Sequence, residues 1–450
     1  MIIFGLSTIV YMNKTSLKLI SLLSILLFIC ISGYSQYNTD AERTNYYNNK
    51  AKTYLDKKKV LSAFYLVNEK GINIYASAQN KINNRPEFHL NWNEVEAFKT
   101  AIKTYSTDEM LKIYKSGKMD NGALGIKKKN TNAVQTKTDH TKKLHGLKIA
   151  IDPGHTAGDM ENAQIEAKCL NFKCITPSGE KCNITISEGI LTFATATILK
   201  NELEAQGAEV FMTRTFYGGS AYGKSFDDWL KPTNVDSLYK RGELSQKQRA
   251  TLLNPKISKN AKFQSVFKNL ELQKRSEIIN NYQPDFTVII HFNVDETNRG
   301  WTKPGNKNHN MTFVGGAFMG SDLTSPEKRM EFLRLLITDD LEKSIALSSS
   351  VVNSFEKTLN VKTASHHDAT YLVKGCLPAG ETGVYCRNLQ LTRYIHSPLV
   401  YGETLYQDNI NECILLNEET DKTKNKRIQQ VADAYFKGIL DYVNKNKINP

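Results

Sequence analysis

The 450-residue chain contains no CxxC pair, no HExxH and no arginine-rich block. Without CxxC, a small zinc knot at Cys169, Cys174 and Cys182 has no support from spacing. Without HExxH, any metal site must draw its ligands from separate elements. The missing arginine cluster, with no recognised nucleic-acid motif, argues against a nucleic-acid partner despite a formal net charge of +13. Nor is there a long apolar run: residues 19–31 are too short and too early for a transmembrane helix.

That short run instead fits a secretory signal. Lys14 and Lys18 precede it, and Gly33-Tyr34-Ser35 offers small residues at a cleavage site, so residues 1–35 are removed and Gln36 begins the mature chain. Residues 1–11 fit that pattern poorly, which favours translation from Met12. An uncleaved anchor, or a lipoprotein through Cys30, is the lesser alternative. The protein is thus expected to be exported, to a periplasm, cell envelope or medium. Cleavage leaves Cys169, Cys174, Cys182, Cys376, Cys386 and Cys413, an even set that points to disulfides, with Cys376 and Cys386 the most local pair. Lysines are dispersed along the chain, which favours an anionic polymer or surface as partner.

Residues 36–118 read as a small α+β module. A helix is expected over 37–59, then a hairpin turning at Asn68-Glu69-Lys70-Gly71, then a helix capped by Asn93 that carries Val95, Phe98, Ile102 and Tyr105. Its role is open between binding, regulation and simple packing. Residues 119–145, with Lys127-Lys128-Lys129, lack periodicity and read as a basic linker.

From residue 146 the pattern changes. Leu147-Lys148-Ile149-Ala150-Ile151 is a buried-strand run that breaks at Pro153-Gly154 and delivers His155. A cysteine-bearing loop follows over 156–186, and Ser187 caps a helix opening with Glu188 and ending near Gly207. Ala208-Glu209-Val210-Phe211-Met212-Thr213 closes a β–α–β unit. Residues 216–270 are polar and helical in pattern, an insertion rather than sheet. Phe286-Thr287-Val288-Ile289-Ile290 runs into His291. Ser325-Pro326-Glu327 opens a helix, residues 339–359 form another, and Tyr371-Leu372-Val373 and Gly383-Val384-Tyr385 read as short strands. Ser397-Pro398-Leu399-Val400-Tyr401-Gly402 leads to Glu403, and a helix over 427–444 ends the chain. Strands alternating with helices predict an α/β fold, a mostly parallel twisted sheet covered by helices on both faces, behind the small N-terminal module.

Strand ends in such sheets are where ligands bind. Two imidazoles and a carboxylate are a known set for catalytic zinc, with a fourth position left to water, and a further carboxylate can move the proton. His155, Glu188 and His291 are the candidate ligands and Glu403 the candidate acid/base. Each has an ordinary alternative: satisfied histidines at strand ends, a Glu188 that complements a helix N-terminus, a Glu403 paired with Arg387. His309, His366, His367 and His396 are weaker candidates for lining the same cleft.

These stretches together resemble the zinc-dependent N-acetylmuramoyl-L-alanine amidases of the amidase 3 family. The likeness runs over about 146–445. It rests on Ile151-Asp152-Pro153-Gly154-His155, Ser187-Glu188, Val210-Phe211-Met212-Thr213-Arg214, Arg275, the strand into His291-Phe292-Asn293, and Leu399 to Glu403 with Asn409. It implies Zn2+ held by His155, Glu188 and His291, with Glu403 as catalytic carboxylate. It also implies peptidoglycan as substrate, cut between N-acetylmuramic acid and the L-alanine of the stem peptide. Some members carry a helix that blocks the zinc until a partner moves it. A protein activator is therefore an implied partner, with 216–270 or the helices of 320–359 as candidate locks. The sequence departs from the family at Thr156, where glycine is usual, in the long cysteine loop, in the insertion, and at Gly402, where an aliphatic residue is usual. A different zinc amidohydrolase or peptidase, and a catalytically silent wall-binding protein, remain the alternatives.

Overall fold

Burial on both faces explains the central sheet. The structure, a computed structural model, describes residues 39–115, 142–176 and 178–448. The expected signal segment and most of the expected linker lie outside them. Seven strands align in the order β10-β11-β9-β12-β8-β4-β7. They are β4 (Lys148–Pro153), β7 (Glu209–Met212), β8 (Phe286–Asn293), β9 (Met311–Val314), β10 (Cys376–Pro378), β11 (Val384–Arg387) and β12 (Leu399–Tyr406). Strand β4 runs parallel to β7 and β8, β8 to β12, and β9 to β11, while β9 against β12 and β10 against β11 are antiparallel. All eight residues of β8 are buried, as a strand covered on both faces requires. Ile149, Ile151, Val288, Ile290 and Val400 enter one apolar cluster; Ala150, Ile289 and Leu399 enter another on the opposite face.

The chain supplies both covers. In order, its principal helices are α1 (Asp40–Lys50), α2 (Val95–Thr104), α3 (Thr107–Lys115), α4 (Met160–Glu166), α5 (Glu188–Ala205), α6 (Lys268–Tyr282), α7 (Pro326–Ile337), α8 (Asp340–Leu359), α9 (Gln390–Tyr394) and α10 (Lys426–Lys445). Helices α5, α8 and α10 pack on the first face, and α6 and α9 on the second. No helix among the described residues is long and apolar enough to cross a membrane.

The N-terminal region holds β1 (Tyr65–Asn68), β2 (Gly71–Ile74) and β3 (Phe88–Asn91) in an antiparallel sheet, flanked by α1 to α3. The hairpin turns where expected, and Gly71 takes a positive φ as its β3 neighbour crowds in. The cap before α2 is Asn91 rather than Asn93, because Glu94 completes a capping box with it. The region's apolar side chains share one cluster with α7, β11 and the end of β9.

Four local expectations change. The cysteine loop is ordered: it contains α4 and the hairpin β5 (Cys169–Ile175) with β6 (Lys181–Ser187), anchored by Leu170, Ile184 and Ile186 in the core. Cys174 and Cys182 face each other across it and form the disulfide, with Cα atoms 4.9 Å apart. Cys376 and Cys386 are free. Cys376 pairs with Arg387 and Leu377 with Cys386, so a one-residue offset sends the two thiols to opposite faces of the sheet. Tyr371-Leu372-Val373 lies in a helix, Thr370–Gly375, whose first amides are accepted by the distant Glu296 carboxylate.

Candidate metal centre

Parallel register carries three side chains to one edge. Pro153 of β4 pairs with Ile290 of β8, so His155 and His291 emerge together, and Glu403 of β12 lies opposite His291. A Cβ on Gly154 would fall on the His291 ring, so this position needs glycine for the two strand ends to close. His155 then sits at φ +62°. Two buried arginines hold that turn. Arg275 donates to the carbonyls of Pro153 (2.7 Å) and His155 (2.6 Å) and to the Asp152 carboxylate (3.1 Å). Arg214 donates to the carbonyls of Pro153 and Gly154, both at 3.2 Å. Three successive carbonyls with no strand partner are thereby satisfied.

Glu188 opens α5 beneath this edge. Its oxygens lie 3.0 Å from His155 Nε2 and 3.1 Å from His291 Nδ1, and it accepts the Phe292 amide at 3.2 Å. One ligand atom from each of the three lies within 4.8 Å of the others. Donors on a tetrahedral ion at bond lengths of about 2.0–2.2 Å stand about 3.4 Å apart, so the spacing suits one ion. His155 Nε2 is buried, and its approach to Glu188 is not aligned as a hydrogen bond. Its other nitrogen, Nδ1, faces Glu166 Oε1 at 3.0 Å, which favours the tautomer with a lone pair on Nε2. The residues therefore fit a divalent metal with an open position. No residue of 216–270 belongs to the ligand group among the described residues.

The electrostatics divide the carboxylates. Burial alone would raise Glu188 and Glu166, but His155 outweighs it. Lys168 adds to the pull on Glu188, which sits well below the usual range, and Glu166 falls to about 2. Burial, with His155 close by, lowers His291 to about 4. Glu403 moves the other way. Burial and then the negative Glu188 push it up to about 7. Arg387 does not pair with it: its guanidinium lies over the rings of Phe313 and Tyr371, 4.8 Å from each centroid. Tyr401 stacks on His291 at 4.7 Å. A β-bulge follows at Thr404 to Tyr406, just past Glu403, and bends the strand where it leaves the site.

All four predicted residues line one cleft of about 580 Å³ with Lys168, Trp301 and Arg387. Residues 149–441 match the family described as N-acetylmuramoyl-L-alanine amidase. The chain belongs to that family. Among solved structures it is similar to the CwlD amidase from Clostridioides difficile in complex with the GerS lipoprotein, at 18% identity over 66% of this chain and 99% of that one, with a TM-score of 0.34. Ami1 from Mycobacterium abscessus shows 16% identity over 67% and 100%, with a TM-score of 0.35. AmiC2 of Nostoc punctiforme shows 14% over 67% and 99%, with a TM-score of 0.34. Comparison with curated proteins finds no match.

One departure of this family member has a local cause: Gly402 is required because a Cβ there would fall on the Tyr435 hydroxyl of α10. Thr156 is buried and gives its backbone amide to Glu166 at 3.2 Å, a bond glycine could also make, so the structure does not explain the threonine. Glu166 itself carries no motif that sequence reasoning could use. The other histidines stay outside the cleft: His396 meets Glu331 and the Ile102 carbonyl, His366 meets the Leu372 carbonyl, and His309 lies 3.7 Å from Asp368.

Proposed function

We propose that the chain hydrolyses the amide between N-acetylmuramic acid and the L-alanine of the peptidoglycan stem, with zinc held by His155, Glu188 and His291. The observation that carries this reading is the meeting of two imidazoles and a buried carboxylate at neighbouring strand ends, with Glu403 on the same cleft. When bound, zinc supplies a Lewis acid for the amide carbonyl and a water acidified to near neutrality. Glu403, lining the same cleft, takes the proton from the attacking water and returns it to the leaving amine. Glu166 holds the His155 ring, and Arg275 and Arg214 hold its backbone. Lys168, Lys268, Arg299 and Arg387 give the cleft positive groups that suit stem-peptide carboxylates.

This function requires export, which the signal-like residues 1–35 would provide, with peptidoglycan as the partner. Residues 146–445 with the insertion at 216–270 form the catalytic region in this reading, and 36–118 an added module joined by the linker. A protein activator would act at the insertion wall, where Phe263 and Lys268 border the cleft. Mass spectrometry of digested peptidoglycan tests the activity. The mature chain should release stem peptides with a free L-alanine amine, lose this with a chelator and regain it with zinc. Glu403→Gln should lower the rate by about 10²–10⁴ while still binding metal. Release undiminished by either change would sink the mechanism.

A further inference from the structure

Helix α6 separates two grooves. Lys268, Glu271, Leu272 and Arg275 face the catalytic cleft. The adjoining stripe of Asn269, Gln273, Ser276 and Asn280 faces a second groove of about 690 Å³. The spacing of that stripe, four, three and four residues, keeps it on one side of the helix. The opposite wall comes from the N-terminal region: the end of α2 and the start of α3, residues 102–109. The floor is α9. Gln390 borders both grooves and donates to the Asn269 carbonyl at 3.1 Å across the dividing ridge. The second groove thus adjoins the active-site cleft across this ridge, and one wall lies outside residues 149–441 that match the family.

We propose that this groove binds the sugar chain of the substrate, as an extended subsite for neutral, acetamido-bearing sugars. The inference rests on the amidase reading for the identity of that chain. Four observations support it. First, more than half of the lining residues are amide or hydroxyl side chains, the groups that pair with sugar hydroxyls and acetamides. Second, Asn269, Gln273 and Asn281 are exposed, and their side chains have no hydrogen-bond partner among the described residues. Third, Tyr105 and Tyr394 line it, and Arg393 lies over the Tyr394 ring at 4.8 Å, an amphipathic wall. Fourth, its lining carries no excess of positive charge. Asp108, Glu109, Glu277 and Glu327 stand among Lys103, Arg393 and His396, with Lys274 paired to Glu277 at 2.8 Å, in a protein of formal charge +13. An anionic polymer is disfavoured there, whereas an uncharged glycan is not. The volume lies within the roughly 300–1,000 Å³ of small-ligand sites.

The geometry gives the N-terminal region a task. It completes the second wall, so that a strand whose stem peptide lies over His155 and His291 continues past Gln390 between α6 and α3.

Two measurements test this. Titration calorimetry of the full mature chain with chitotetraose, an uncharged N-acetylglucosamine oligomer, reads binding without catalysis. The triple variant Asn269→Ala, Gln273→Ala, Asn281→Ala should weaken binding at least tenfold at an unchanged Tm. Asn281→Trp, which fills the groove from its rim, should do the same. On catalysis, kcat/KM for intact sacculi should fall five- to tenfold in both variants, through KM, while kcat/KM for a single-sugar muramoyl dipeptide stays unchanged. Absence of chitotetraose binding, equal affinity in the variants, or an equal fall on both substrates would overturn the proposal. So would tighter binding of a lysine-containing stem tripeptide that the triple variant abolishes. If the wild type cleaves neither substrate, the amidase reading fails, and the titration alone judges the groove.

Discussion

At the scale of single residues, the centre depends on a carboxylate that would not touch the metal. Glu166 accepts from the amides of Thr156 (3.2 Å) and Ala157 (3.1 Å) and faces His155 Nδ1. It fixes both the turn and the tautomer of a ligand. Loss of such a partner typically weakens metal binding 10- to 100-fold. Glu166→Gln should therefore raise the zinc dissociation constant by about that factor, measured by competition with a chelating dye, in a protein whose circular dichroism is unchanged. An unaltered affinity would show that the two arginines suffice to hold His155. Sequence made the four principal residues legible because each follows an apolar run or opens a helix, positions that periodicity marks. It gave no hint of Glu166, which lies in a segment without an apolar pattern and reaches the site only through the tertiary position of α4.

At the scale of elements, the β5–β6 hairpin links redox state to the site. Strand β6 leads directly into Glu188, and Cys174–Cys182 ties it to β5 across a separation of eight residues. Closing a loop of that size stabilises by roughly 2–3 kcal/mol in the chain-entropy account. Cys174→Ser should lower Tm by several degrees and, because Glu188 is next in the chain, speed zinc loss to a chelator. Thermal unfolding with and without reductant checks it: reduction should bring the wild type to the variant's Tm and leave the variant unmoved. Long helices and the apolar strands β4, β8 and β12 were readable, since burial on both faces forces runs of β-branched residues. The elements that sequence hid are short. Strand β9 has four residues and β3 four, too few to establish a period. The helix Thr370–Gly375 is set by Glu296, 74 residues away for Thr370. The cysteine pairing was hidden for a related reason: register sets Cys174 opposite Cys182 and offsets Cys376 from Cys386 by one residue.

At the scale of the whole molecule, charge and apolar packing join the N-terminal region to the catalytic region. Buried Lys50 donates to the Thr338 carbonyl at 2.7 Å and pairs with Glu342 at 2.8 Å. Arg329 pairs with Glu87. The densest point is Glu331, fully buried on α7. It accepts from the Thr107 hydroxyl (2.6 Å) and Arg334 Nε (2.7 Å) and meets His396 Nε2 (2.9 Å), while His396 Nδ1 meets the Ile102 carbonyl at 3.0 Å. Burial would raise the Glu331 carboxyl, but His396 and Arg334 outweigh it and hold it at about 2. An unfolded glutamate titrates near about 4.3. A group depressed on folding contributes stability above the unfolded value, and that contribution is lost as pH falls through the folded one. The wild type should therefore lose stability between about pH 5 and pH 2. Glu331→Gln should be weaker at pH 7 by about 3–5 kcal/mol, because His396 and Arg334 lose a buried partner, and its stability should change less across the acid range. Urea unfolding at pH 7, 5 and 3 measures both. Parallel pH slopes for the two proteins would mean that other carboxylates, not this seam, govern acid unfolding. If the slopes diverge as argued, the buried Glu331 cluster, which also takes the Thr107 hydroxyl of the N-terminal region, governs acid unfolding.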